Sequence, residues 1–92
     1  MARETVLSLR VTGRVQGVSF RAWTQAEALQ RGLDGWVRNE ADGSVSGVIA
    51  GDAAAVAAML RALQRGPGAA RVTGVTTAPY DGDVAGGFVI RR

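Results

Sequence analysis

The 92-residue chain has no cysteine and no histidine. The first absence excludes a disulfide framework, a cysteinyl nucleophile and thiolate ligation of a metal. The second removes the commonest general base and the commonest metal-binding side chain. Lysine is missing as well, so all 11 basic residues are arginines, whose charge does not titrate at any accessible pH. A lysine-free, arginine-rich composition is what a GC-rich genome produces, and the net charge is only +3. That modest positive balance still favours a small anionic substrate. No stretch approaches the roughly 20 consecutive apolar residues needed to cross a bilayer. The N-terminal segment also lacks the charged, apolar, small-residue order of a signal peptide. A cytoplasmic protein with no membrane association is expected.

With 47% hydrophobic and 21% charged residues, the chain can close one modest core, and its length predicts a single domain over residues 1–92. Period-two alternation from Glu4 to Thr12 sets Leu7, Leu9 and Val11 against Ser8, Arg10 and Thr12, which predicts a half-buried strand. Trp23, Ala26, Ala28 and Leu29 mark an apolar stripe at helical spacing from about Arg21 to Gln30, stopped by Gly32. Two strand-like runs, Gly35 to Glu40 and Ser44 to Ala50, flank Ala41-Asp42-Gly43, whose Asp-Gly step predicts an antiparallel hairpin. Gly47 inside the second run predicts a bulge or a weakened strand. Asp52 suits an N-cap for a helix with Val56, Met59, Leu60 and Leu63 on one side, ended by Gly66-Pro67-Gly68. Arg71 to Ala78 reads as a fourth strand and Phe88 to Ile90 as a short last one. The order βαββαβ with a terminal extra predicts an α+β, ferredoxin-like sandwich, an antiparallel sheet with two helices on one face.

Between the first strand and the first helix runs Val11-Thr-Gly13-Arg-Val15-Gln16-Gly17-Val18-Ser19-Phe20-Arg21. Glycines there let successive backbone N–H groups turn toward one oxyanion. Arg21 at the helix start can add a bidentate clamp, and the helix N-terminus adds partial positive charge. This is the pattern of an anion cradle. It is not a nucleotide P-loop, because Gly17 is followed by Val18 and Ser19 rather than Lys and Ser/Thr. Nor is it a thiol phosphatase loop, since the residue six before Arg21 is Val15.

A second constellation, Gly35-Trp36-Val37-Arg38-Asn39, opens the hairpin, with Gly43, Val45 and Gly51 beyond it. The amide of Asn39 offers a donor and an acceptor on one rigid group and can orient a water molecule for in-line attack on phosphorus. An asparagine at a strand end also commonly bonds its own backbone to begin a turn, and the residues alone leave both roles open.

Together the two segments resemble the signature regions of the acylphosphatase family: Val11-x-Gly13-x-Val15-Gln16-Gly17-Val18-x-Phe20-Arg21, and Gly35-Trp36-Val37-Arg38-Asn39-x-x-x-Gly43-x-Val45 with Gly51 after it. The resemblance extends over nearly the whole chain and implies hydrolysis of the carboxyl-phosphate bond of acyl phosphates without metal or cofactor. It implies that Arg21 and the N–H groups of Val15, Gln16, Gly17, Val18, Ser19 and Phe20 bind the phosphoryl oxygens, and that Asn39 orients the attacking water. The substrate is then a small acyl phosphate, with inorganic phosphate as product and competitor, and the protein is expected to be a monomer. An acyl phosphate has a low-pKa carboxylate leaving group, so no strong general acid is needed, in keeping with the missing histidine.

The side chains of Gln16 and Ser19 read as polar fillers of a turn. Thr24, one helical turn beyond Arg21, either buttresses the site or simply packs. Arg14 and Arg38 either steer anions or form a solvated face, and Trp23 and Trp36 read as packing residues. Ferredoxin-like sheets also bind RNA, but such platforms need exposed aromatics on central strands, and this chain has only five aromatic residues. No nucleic-acid partner is expected. A related domain that has lost turnover, or that serves carbamoyl phosphate within a larger maturation enzyme, is the remaining alternative. A short chain that keeps both Arg21 and Asn39 favours turnover.

Overall fold

The computed structural model describes residues 4–92. Its elements run β1 (Thr5–Arg14), α1 (Phe20–Gln30), β2 (Asp34–Asn39), β3 (Val45–Gly51), α2 (Ala53–Arg65), β4 (Arg71–Pro79) and β5 (Phe88–Arg91). The sheet order is β4-β1-β3-β2-β5. β3 lies antiparallel between β1 and β2, and β1 lies antiparallel between β3 and β4, which interleaves two βαβ units. The expected antiparallel sheet therefore holds for four strands. β5 departs from it by adding parallel to β2, with Val37 opposite Ile90 and Arg38 opposite Arg91, so the whole sheet is mixed.

Alternation along β1 buries Leu9 and Val11 and leaves Arg10 and Thr12 exposed. Those buried residues meet Val37, Val45 and Ile49 of the neighbouring strands and Val56, Met59 and Leu63 of α2 in one core. In α2 the Asp52 carboxylate accepts from the Ala55 N–H at 3.3 Å, the N-cap expected from sequence. α1 corrects the expected stripe: its buried residues are Phe20, Thr24 and Ala28, Trp23 is half-buried, and Leu29 is 53% exposed. Phe20 is 1% exposed and sets the phase of the helix. Leu29 follows it by nine positions, half a turn out of register at about 100° per residue.

The ladder runs without interruption through Gly47, paired with Leu9 on one side and Val37 on the other. No bulge forms there. A Cβ at Gly47 would collide with the Trp36 carbonyl oxygen, so the missing side chain permits close strand approach. The irregularity lies instead between Thr12 and Gly13, where the β1–β4 register shifts. Gly13 has φ +119, and a Cβ there would strike the Arg71 carbonyl, so this bulge requires glycine.

Candidate active site

β1, β2 and β5 run in the same direction, so their C-terminal ends gather at one end of the sheet beside the start of α1. Val15, Gly17, Ser19, Phe20, Arg21, Ala22, Asn39 and Ile90 line a cleft of about 170 Å³ at this end. A larger depression of about 410 Å³ lies on the open face of the sheet, among Ser8, Arg10, Trp36, Arg38, Glu40, Ser46 and Tyr80. Its charged groups satisfy one another: Arg10 pairs with Asp42 at 2.9 Å, Arg38 with Glu40 at 2.7 Å, and the Ser46 hydroxyl donates to Glu40. The smaller cleft is different: among the described residues its polar groups include a buried acceptor with no partner and an arginine with no carboxylate beside it.

The loop is anchored at both ends by burial. Val15 and Phe20 are each 1% exposed, so only the residues between them are free to turn. Gly17 has φ +74 and Ser19 has φ +61, left-handed torsions at alternate positions, as in backbone nests that bind anions. A Cβ at Gly17 would meet nothing within 4 Å, so its torsion, rather than space, asks for glycine. From Gln16 to Ala22 no backbone N–H finds an acceptor among the described residues, and the first helical bond runs from the Trp23 N–H to the Ser19 carbonyl at 3.0 Å. The Ser19 side chain does not cap α1, and its first turn carries no acidic residue. N–H groups without acceptors and a helix N-terminus with no acidic residue thus lie in the segment that lines the cleft, a combination that suits an anion.

Arg21 reaches across this opening. Its Nη1 donates to the Arg91 carbonyl at 3.4 Å, and no carboxylate pairs with it among the described residues. One long bond orients the guanidinium and leaves its other donors for a ligand. Asn39 ends β2 and also lines the cleft, and its Oδ1 is buried with no donor among the described residues. Such an acceptor costs about 1–3 kcal/mol if it is never partnered, so a ligand or water is the expected donor.

Thr24 is fully buried and its hydroxyl also has no partner among the described residues. It is not on the lining of the cleft, and no hydrogen bond joins it to Asn39. The side chains of Gln16 and Val18 turn away from the cleft as well. Val18 packs against the core. Gln16 Nε2 donates at 2.8 Å to both the Glu40 and the Ser44 carbonyls, tying the loop to the turn that follows Asn39. Gln16 is thus a tie between the two signature segments and not a passive filler.

That turn is stiffened by its own carboxylates. Asp42 accepts from the Ser44 hydroxyl at 2.6 Å and the Ser44 N–H at 2.9 Å, bonds that hold its pKa below the ordinary value. Glu40 is lowered likewise, first by the Ser46 hydroxyl and then by Arg38. Neither carboxylate lines the cleft, so neither is placed as a base for it. Trp36 lies with the Arg38 and Arg91 guanidinium groups 5.2 and 4.6 Å from its ring centre, while Trp23 packs on Phe20 at 5.6 Å. Arg14 and Arg71 face each other across β1 and β4 at the same end of the sheet, with no carboxylate on either among the described residues.

Two lining residues, Ala22 and Ile90, were not singled out from the sequence. Ile90 had a faint signal: it is two positions beyond Phe88, and strand alternation puts it on the same face.

Comparison with known proteins places these features in a family. The acylphosphatase family model matches residues 7–90. An acylphosphatase of Rhizobium etli is 61% identical over 69 residues, covering 75% of this chain and 73% of that protein. One from Rhizobium meliloti is 51% identical over 85 residues, covering 91% and 90%. Among solved structures, an acylphosphatase from Coxiella burnetii superposes with a TM-score of 0.91 at 31% identity, covering 97% of this chain and 94% of that one.

Proposed function

The chain belongs to the acylphosphatase family, and we propose that it hydrolyses the carboxyl-phosphate bond of small acyl phosphates using the loop amides, Arg21 and Asn39. The observation that carries this reading is one cleft lined by Arg21, by Asn39 with its buried oxygen, and by a loop whose N–H groups from Gln16 to Ala22 have no acceptor among the described residues. The amides and Arg21 hold the phosphoryl oxygens and gain strength as charge builds on them in the transition state. Asn39 Oδ1 accepts a hydrogen bond from a water and aims its lone pair at phosphorus. The new bond is from the water oxygen to phosphorus, and the bond broken is from phosphorus to the acyl oxygen. The acyl oxygen leaves with the electron pair as a carboxylate. One water proton passes to a phosphoryl oxygen, so that an acyl phosphate dianion and water yield a carboxylate and dihydrogen phosphate. Positioning replaces a protein base because the leaving group is a weak base. On this reading the protein is a cytoplasmic monomer that needs neither metal nor cofactor and takes no nucleic acid.

The test is hydrolysis of benzoyl phosphate by purified protein with chelator present and inorganic phosphate added. Metal-independent turnover with competitive inhibition by phosphate is expected. Folded protein that leaves benzoyl phosphate intact would remove the hydrolase reading.

A further inference from the structure

From the lining of the cleft we infer that Ile90 is a specificity-determining residue that selects acyl phosphates with an apolar acyl group over those carrying a second negative charge. The inference rests on the hydrolase reading above and concerns the half of the substrate that the phosphate-binding groups do not touch. Three large hydrophobic side chains are substantially exposed among the described residues, and Ile90, at 39%, is the one that lines the cleft. Its place there is held from two sides. Its backbone pairs with Val37 across the β2–β5 ladder, and the carbonyl of the next residue, Arg91, accepts from Arg21. The side chain is thus tied through one residue to the guanidinium that holds the phosphate.

A cleft of about 170 Å³ has room for a phosphoryl group and the first atoms beyond it. The loop and Arg21 occupy the phosphoryl side, and Val15 and Phe20 are buried beneath. What remains for an acyl chain on its way out is Ile90 with the exposed Ala22 and the uncharged Ser19. Arg21 is the one charged side chain on the lining, and it is committed to the phosphate. A carboxylate on the acyl group would shed water against Ile90 and find no charged partner free to pair with it, whereas a hydrocarbon would cover exposed apolar surface.

The two cases separate with butanoyl phosphate and succinyl monophosphate, which share a four-carbon chain and differ in the terminal carboxylate. Measurement at an ionic strength of about 0.5 M, where the Debye length is under about 5 Å, keeps the distant arginines from favouring the more charged substrate. Wild type is expected to prefer butanoyl phosphate by about 10-fold or more in kcat/KM. Ile90→Ala should lower kcat/KM for butanoyl phosphate by about three- to fivefold, as expected for partial burial of one aliphatic side chain, and so narrow its preference over succinyl phosphate. Ile90→Arg should move the preference toward succinyl phosphate by about 10-fold. Equal wild-type rates, or a preference unmoved in both variants, would overturn the inference while leaving the hydrolase reading intact. Folded wild type that turns over neither substrate would overturn both.

Discussion

Replacing Gln16 with leucine keeps the size of the side chain and deletes the amide that joins the anion loop to the turn after Asn39. Two hydrogen bonds are lost, each 2.8 Å long in the wild type. The carbonyls they leave are not stranded: Glu40 O still accepts from the Gly43 N–H at 3.2 Å, and Ser44 O from the Glu40 N–H at 2.8 Å. The cost is then the net value of two ordinary bonds, about 1–3 kcal/mol in all, without the further penalty of a buried unsatisfied group. For a chain of this size that corresponds to a fall in Tm of at least about 4 °C. Activity should suffer more than stability implies, because the loop and the water-orienting asparagine are no longer held at a common distance, and kcat should drop by about 10-fold or more. Gln16→Glu should be worse, since a carboxylate presents only acceptors to two carbonyl oxygens. Thermal unfolding followed by circular dichroism, with turnover of benzoyl phosphate on the same samples, measures both effects. A leucine variant with wild-type Tm and kcat would refute the idea that this side chain couples the two segments.

Other substitutions test separate parts of the structure. Gly17→Ala meets no neighbour within 4 Å, so it should cost only the left-handed torsion, about 1–2 kcal/mol by chemical denaturation, together with a loss of phosphate affinity as the amides turn away. Glu40 and Asp42 have lowered folded-state pKa values, so their stabilisation is complete above the usual carboxylate range and is lost as pH falls through the lowered values. Glu40→Gln should flatten acid unfolding in that window, and an unchanged acid midpoint would argue against the Ser46 and Arg38 contacts. Arg14 and Arg71 lie at the cleft end of the sheet with no carboxylate partner among the described residues, so kcat/KM should fall with added salt. Reversing both to glutamate should lower it severalfold at low ionic strength and little at about 1 M, where the Debye length is about 3 Å. A salt-independent difference would exclude steering.

Much of this was legible in the sequence where a physical signal was local. The alternation of β1, the Asp52 cap and the Asp-Gly turn each specify their own element, and the glycine spacing with Arg21 marks the loop that lines the cleft, whereas Asn39 joins it only through the resemblance of the two segments to one family. What was not legible depends on contacts distant in the chain. The phase of α1 follows from the burial of Phe20, which lies just before the expected start of the helix, and the apolar Leu29 drew the stripe to the wrong side. β5 has four residues, too few for their pattern to say that they pair parallel to β2. Ile90 reaches the cleft only through that pairing, and Gln16 finds its acceptors 24 and 28 positions away. A long-range hydrogen bond of that kind has no period to betray it.

The division of labour between Arg21 and Asn39 is the centre of this account, and it is tested most directly by measuring benzoyl phosphate turnover and phosphate binding in parallel for Arg21→Ala and Asn39→Ala. Arg21→Ala should weaken phosphate binding and cut turnover by about 10² or more. Asn39→Ala should abolish turnover and leave phosphate affinity close to wild type. Equal loss of binding and turnover in the Asn39 variant, or near-normal turnover without Arg21, would contradict it.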